Sequence, residues 1–238
     1  MVFSHDDAVW AAHPGLVAGV LRIDGIAPQP RADAALAALL AQARARLAAA
    51  PEGEWPEIQA WRRAFSAMGL KPTQYRCAAE SLLRRLRKEG SLPALHPLVD
   101  ACNAVSLAFA TPVAVFDLAR IAGDLTVRPA RGDEAYAGVG GEQEPPAPGE
   151  VVFADSAGQA HARRWCHRQS ARSAVQPDTR SVLVVAEALH ADASAQLPRL
   201  LDALQAALPP GAVVQGRAVL RRGAPRFDCG PRLSTAAA

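Results

Sequence analysis

The ten residues "RRWCHRQSAR", 163–172, place one tryptophan among basic side chains: Arg163, Arg164, Trp165, Arg168 and Arg172. An indole offers a flat stacking face, and arginines offer forked donors for phosphate or carboxylate groups. That pairing suits a terminal adenosine held beside its phosphates. The plainer alternative is a core tryptophan with solvated arginines. A second candidate is "ALHPLVDACNAVSLAFATPVAVFDL", 94–118, too apolar for a loop yet holding His96, Asp100, Asn103, Ser106 and Asp117. His96, in a proline-flanked stretch, has the chemistry of a general base or a ribose partner, or else is an exposed loop histidine. Asp100 suits a helix start, Asp117 suits a turn, and Asn103 needs partners if buried. A third set, Arg76, Glu80 and Arg84, shares one helix face at i, i+4 and i+8, the ordinary pattern of surface ion pairs.

Several chemistries find no support. The four cysteines, Cys77, Cys102, Cys166 and Cys229, lie far apart, without the close pairs a zinc site uses. A G-x-S-x-G elbow and a P-loop are both absent, and "GVGGE" at 138–142 is only a turn signal. No metal and no cofactor are expected. His161 and His167 fit neither a metal set nor a triad. The opening "MVFSHDDAVW" lacks the apolar run of a signal peptide, and no apolar stretch reaches the ~18 residues of a membrane span. A cytoplasmic setting with reduced thiols, no membrane and no DNA partner is the expectation. The formal charge of +3 permits an RNA partner without requiring one.

The elements that must position these residues alternate in type. Residues 16–26 and 181–189 predict buried strands, and 112–118, 125–130, 149–158 and 212–222 predict further strands. Residues 31–50, 55–69, 77–90, 98–110 and 192–208 predict helices, with Pro198 near the start of the last. Gly138 to Gly149 predicts a loop, and "HARRWCHRQS" a strand leading into a loop. The whole reads as one α+β domain over 1–222, followed by a loose tail over 223–238.

The ordered set Val99-Asp100, Asn103, Pro112, Phe116-Asp117-Leu118, Gly123, Val127-Arg128, Ala130 and Gly132, followed by "EVVFADSAG", resembles the tRNA-editing domain of the phenylalanyl-tRNA synthetase beta subunit. The likeness runs over about residues 55–189. Trp165-Cys166-His167-Arg168-Gln169 and Glu80-Ser81-Leu82-Leu83-Arg84-Arg85 also resemble the "W-x-x-R-Q" and "E-x-L-x-R-R" signatures of small free-standing homologues. The synthetase's other modules are not expected within these 238 residues.

The resemblance implies packed β-sheets flanked by helices and an enzyme that hydrolyses a mischarged aminoacyl ester at a tRNA 3′ end. It implies one cleft shared by Arg76, Glu80, Asn103, Trp165 and Arg168. Asn103 and Arg168 would act as donors, Glu80 or His96 would position water, and Arg76, Ser106, Trp165 and Arg168 would bind substrate. Arg84, Arg85, Arg87, Arg163, Arg164 and Arg172 would line the approach for an acceptor end. The sequence departs from the family pattern at two places: Ala114 stands where the family carries a histidine, and Ala171 falls near its glutamate. A second reading is therefore a binding module for tRNA, an amino acid or an aminoacyl ligand, without chemistry.

Overall fold

The computed structural model describes residues 1–27 and 34–231. The chain opens with strand β1 (Val2–His5) and helix α1 (Asp7–Ala12), which Asp6 caps by accepting from the Ala8 amide at 2.8 Å. Strand β2 (Val17–Asp24) precedes four helices: α2 (Ala34–Ala49), α3 (Pro56–Ala67), α4 (Ala78–Glu89) and α5 (Pro97–Phe109). Five strands follow: β3 (Val113–Asp117), β4 (Leu125–Pro129), β5 (Val151–Asp155), β6 (Ala160–Arg163) and the short β7 (Arg168–Gln169). The chain then forms β8 (Ser181–Ala188), α6 (Ala193–Ala206), β9 (Val213–Leu220) and β10 (Arg226–Asp228).

These strands make two sheets. The larger has the order β10-β1-β4-β5-β6-β7, with β1 and β4 parallel and the other pairs antiparallel. The smaller, β3-β8-β2-β9, is antiparallel throughout. The period of two along β8 divides its side chains between two cores. Leu183 and Val185 join Phe3, Leu125, Val127 and Phe153 of the larger sheet. Val182, Val184 and Ala186 face Leu98, Val105, Leu197 and Leu201 of α5 and α6. The fold is α+β, with two packed sheets flanked by helices. No helix among the described residues is long and apolar enough to cross a membrane.

Two parts of the sequence reading need correction. The first twelve residues, read only as lacking a leader, form β1 and α1, with Phe3, Val9 and Trp10 buried. The tail expected to be loose from Gly223 instead supplies β10, because Phe227 packs into the core opposite Phe3. Residues 31–33, the expected start of the first predicted helix, lie outside the described residues. Pro198 occupies the sixth position of α6, where its missing amide forfeits one bond of the helix.

Candidate active site

A cleft of about 60 Å³ opens at the end of the layer between the sheets. Its apolar walls include Val113 and Ala114 of β3, Val185 of β8, Phe153 of β5 and Ala162 of β6. Its polar wall is the turn joining β6 to β7, with Trp165, Cys166, His167 and Arg168, together with Gln169 and Glu187. That volume admits a few waters or a small side chain.

The turn is strained. Arg164 and Trp165 both adopt left-handed backbone angles, φ +45° and +56°, without being glycine. Such conformations persist only where the surroundings fix them. Here the Trp165 amide donates to the Val151 oxygen at 2.7 Å, and its indole packs edge-on against Trp61 and His13. The indole Nε1–H donates to Glu187 Oε1 at 2.9 Å. On the other side, the Ala78 amide at the start of α4 donates to the Cys166 oxygen at 2.9 Å.

His167 is a titratable side chain that lines the cleft. Its Nδ1 lies 2.8 Å from the main-chain oxygen of Arg76. A carbonyl only accepts, so the hydrogen sits on Nδ1 and Nε2 keeps its lone pair. Burial, reinforced by the charges of Arg168, Arg164 and Arg163, pulls the His167 pKa below the usual imidazole value. The ring is therefore a neutral base near pH 7. Cys166 beside it is the opposite case: burial pushes its thiol well above the ordinary range, so no thiolate nucleophile forms there.

Of the five side chains expected to converge, only Trp165 and Arg168 line the cleft. Trp165 is fully buried, so its face is packed rather than offered for stacking. Glu80 is sealed within α4's first turn, accepting from Arg62 at 2.6 Å and pairing with Arg76 at 3.4 Å. Arg76 reaches the site through its backbone oxygen, while its guanidinium also donates to Thr73. Asn103 is half-buried on α5 and does not line the cleft. His96 caps α5, with Nδ1 accepting from the Leu98 amide at 3.2 Å, so that nitrogen is already engaged as an acceptor. Ser106 donates to the Thr111 oxygen at 2.7 Å and fastens the end of the same helix.

The expected approach arginines separate in the same way. Arg163 is buried, bound through two nitrogens to Glu150 at 3.0 Å and by a third to Glu144. It cannot line an open approach. Arg164 lies over the Tyr75 ring at 4.6 Å, and Arg172 is exposed. Arg84, Arg85 and Arg87 form, with Lys88, a separate surface groove on α4. Arg84 and Arg87 pair with Glu52, and Arg85 with Glu89.

The family model for the B3/4 domain matches residues 60–204, well over half of the chain. The chain belongs to the B3/4 domain family. The matched segment runs from α3 through α6 and contains the whole cleft. Ala114, where the resemblance expects a histidine, is one of its walls. Among solved structures, an N-terminal fragment of the phenylalanyl-tRNA synthetase beta subunit from Pyrococcus horikoshii is similar at 11% identity with a TM-score of 0.44. That likeness covers 91% of this chain and 49% of the archaeal one, so the chain spans about half the length of the structure it matches. No curated protein matches the sequence.

Two further residues of the site escaped the sequence reading. Glu187 lay hidden in the apolar run "SVLVVAEAL", although its odd position in β8 puts it on the same face as Leu183 and Val185. His5, whose Nε2 lies 2.6 Å from Glu187 Oε1, sits on a strand the sequence reading lacked.

Proposed function

We propose that this B3/4 protein hydrolyses an aminoacyl ester at a tRNA 3′ end, with the amino acid side chain in the inter-sheet cleft. The observation that carries this reading is His167, a neutral imidazole whose tautomer is fixed by the Arg76 carbonyl beside an apolar cleft. Water is deprotonated by His167 Nε2 as its oxygen attacks the ester carbonyl carbon. Arg168, on the same turn, stabilises the negative oxygen of the tetrahedral intermediate. Collapse breaks the bond to the ribose oxygen, which takes the proton back from His167. The products are a free amino acid and a free ribose hydroxyl.

The test is deacylation across a panel of mischarged tRNAs. His167→Gln should lower kcat by about 10²-fold or more on the substrate that is cleaved, with KM little changed. Hydrolysis indifferent to that change, or absent across the panel, refutes the reading.

One observation favours the second reading, a binding module without chemistry: the cleft wall at Ala114 lacks the imidazole that the family resemblance implies. Saturable binding of an aminoacyl-tRNA without turnover would select it.

A further inference from the structure

Glu187 is a buried carboxylate with no arginine or lysine partner among the described residues. Its Oε1 accepts from two donors, the Trp165 indole at 2.9 Å and His5 Nε2 at 2.6 Å. An indole nitrogen only donates, so Oε1 is an acceptor. His5 Nδ1 is buried without a partner, so a second ring proton there would be a donor sealed from any acceptor. A hydrogen on His5 Nε2 satisfies the contact with Glu187. Nearby His13 adds no charge near pH 7, because burial pulls its pKa below the usual imidazole value. No arginine or lysine pairs with Glu187 among the described residues, in contrast to Glu52, Glu57, Glu80, Glu134 and Glu150. The second oxygen, Oε2, has no hydrogen-bond partner among them either, and Glu187 lines the cleft.

A buried negative charge in an apolar wall is costly unless a cation joins it. We propose that Glu187 is the anchor for a primary ammonium group, and that the cleft takes small amines whose apolar body rests on Val113, Ala114, Phe153 and Val185. For an aminoacyl ligand the group in question is the free α-ammonium, which orients the carbonyl relative to the turn at 165–168. The proposal uses the same cleft as the hydrolase reading but does not depend on hydrolysis.

The experiment is calorimetric titration of the full chain with L-alaninamide and L-valinamide, against their N-acetyl derivatives. The free amines should bind, and acetylation, which removes the charge, should weaken binding by about tenfold or more. Glu187→Gln keeps an oxygen for His5 and Trp165 and should cause the same loss, with an unchanged far-ultraviolet spectrum and cooperative melting as the folding check. Ala114→Leu, which fills the cleft without touching the carboxylate, should abolish amine binding in a second, independent way. Equal affinity for acetylated and free amines, full affinity in Glu187→Gln, or no amine binding at all overturns the proposal. If the amines bind as expected while no tRNA ester is cleaved, only the hydrolase reading falls. If an ester is cleaved and Glu187→Gln alters neither KM nor kcat, only the ammonium anchor falls.

Discussion

His167 Nδ1 donates to the Arg76 oxygen across 2.8 Å, and two residues along the same segment the Ala78 amide donates back to the Cys166 oxygen. These two bonds run in opposite directions between the start of α4 and the strained turn of the cleft. They fix the imidazole through main chain, so the ring's orientation does not depend on the Arg76 side chain.

A pH profile tests that arrangement. Because burial and three neighbouring arginines lower the His167 pKa, the base form is already dominant below the usual imidazole value of ~6.5. Deacylation kcat/KM should rise with pH through a single limb below that value and be flat by neutrality. Arg76→Ala should keep the limb in place, since the carbonyl remains, and should cost little stability, since the buried Glu80 keeps its closer bond to Arg62 at 2.6 Å. A limb at or above the ordinary imidazole value, or one that moves in Arg76→Ala, contradicts the main-chain clamp.

Arg163 and Arg85 should respond oppositely to truncation. Arg163 is 3% exposed at its side chain and grips Glu150, itself nearly sealed, with two nitrogens. Burial alone would raise the Glu150 carboxyl, yet Arg163 and the Arg164 amide hold it below the usual range. Arg163→Ala strands that buried charge and should cost about 3–5 kcal/mol in urea unfolding. Arg85, half-exposed beside Glu89, should change stability by under about 1 kcal/mol. Equal effects of the two substitutions would show that the Arg163 pair is not sealed in solution.

Acid should weaken the fold in two stages. His161 is fully buried, and burial lowers its pKa despite the attraction of Asp155 3.1 Å away. As pH drops below the unfolded imidazole value, the unfolded chain binds a proton that the folded chain refuses, so stability falls. His13, His96, His167 and His190 are lowered in the same direction by burial and add to this stage. The second stage comes from Asp155. Burial alone would raise its carboxyl, but the amides of Ala122 and Gln159 and the His161 ring hold it below the usual range. Its contribution is present above the unfolded carboxylate pKa and is lost as pH falls through the folded one. Urea midpoints measured from pH 7.5 to 3 should decline in these two steps, and His161→Gln should shrink the first. A flat response down to pH 5 would contradict the burial of these rings.

The frame was legible in the sequence because its signals are local. β-Branched runs marked β2 and β8, and Pro56, Gly90 and Pro97 punctuated α3, α4 and α5 where expected. The strands β1 and β10 were not legible: each is four residues or fewer, they pair with each other over 200 positions apart, and β1 pairs otherwise only with β4, over 100 positions on. The candidate site was only partly legible for the same reason. "RRWCHRQSAR" located the turn, but Arg163 and Trp165 are chemically suited equally to a surface or a core, and only tertiary burial decides. Glu80 and Asn103 kept plausible spacing on their helices, yet helix packing turned Glu80 toward Arg62. Glu187 and His5 carry no motif, and their meeting needs both sheets in place.

The groove on α4 provides the test of RNA contact. Ala78 lines the cleft and Arg84, Arg85, Arg87 and Lys88 line the groove, so the basic surface begins about 9 Å along the helix axis from the site at 1.5 Å per residue. A single-stranded acceptor end seated in the cleft would bring successive phosphates past it. Arg84 and Arg87 share one carboxylate, that of Glu52, which leaves surplus positive charge in the groove. Binding of aminoacylated tRNA should weaken as salt rises, with a slope of about 0.7 per phosphate neutralised. Replacing Arg84, Arg85 and Arg87 together by Ala should flatten that slope by up to about two. Because it strands the buried Glu52 carboxylate it also costs stability, so slope and kcat are read on the folded fraction, where kcat at saturating tRNA stays near the parent value. Arg163→Ala, in contrast, should lower the folded fraction without a specific change of slope, because that side chain is bound to Glu150. A salt slope unaltered in the triple variant would assign these arginines to helix surface ion pairs and leave the cleft as a small-molecule site.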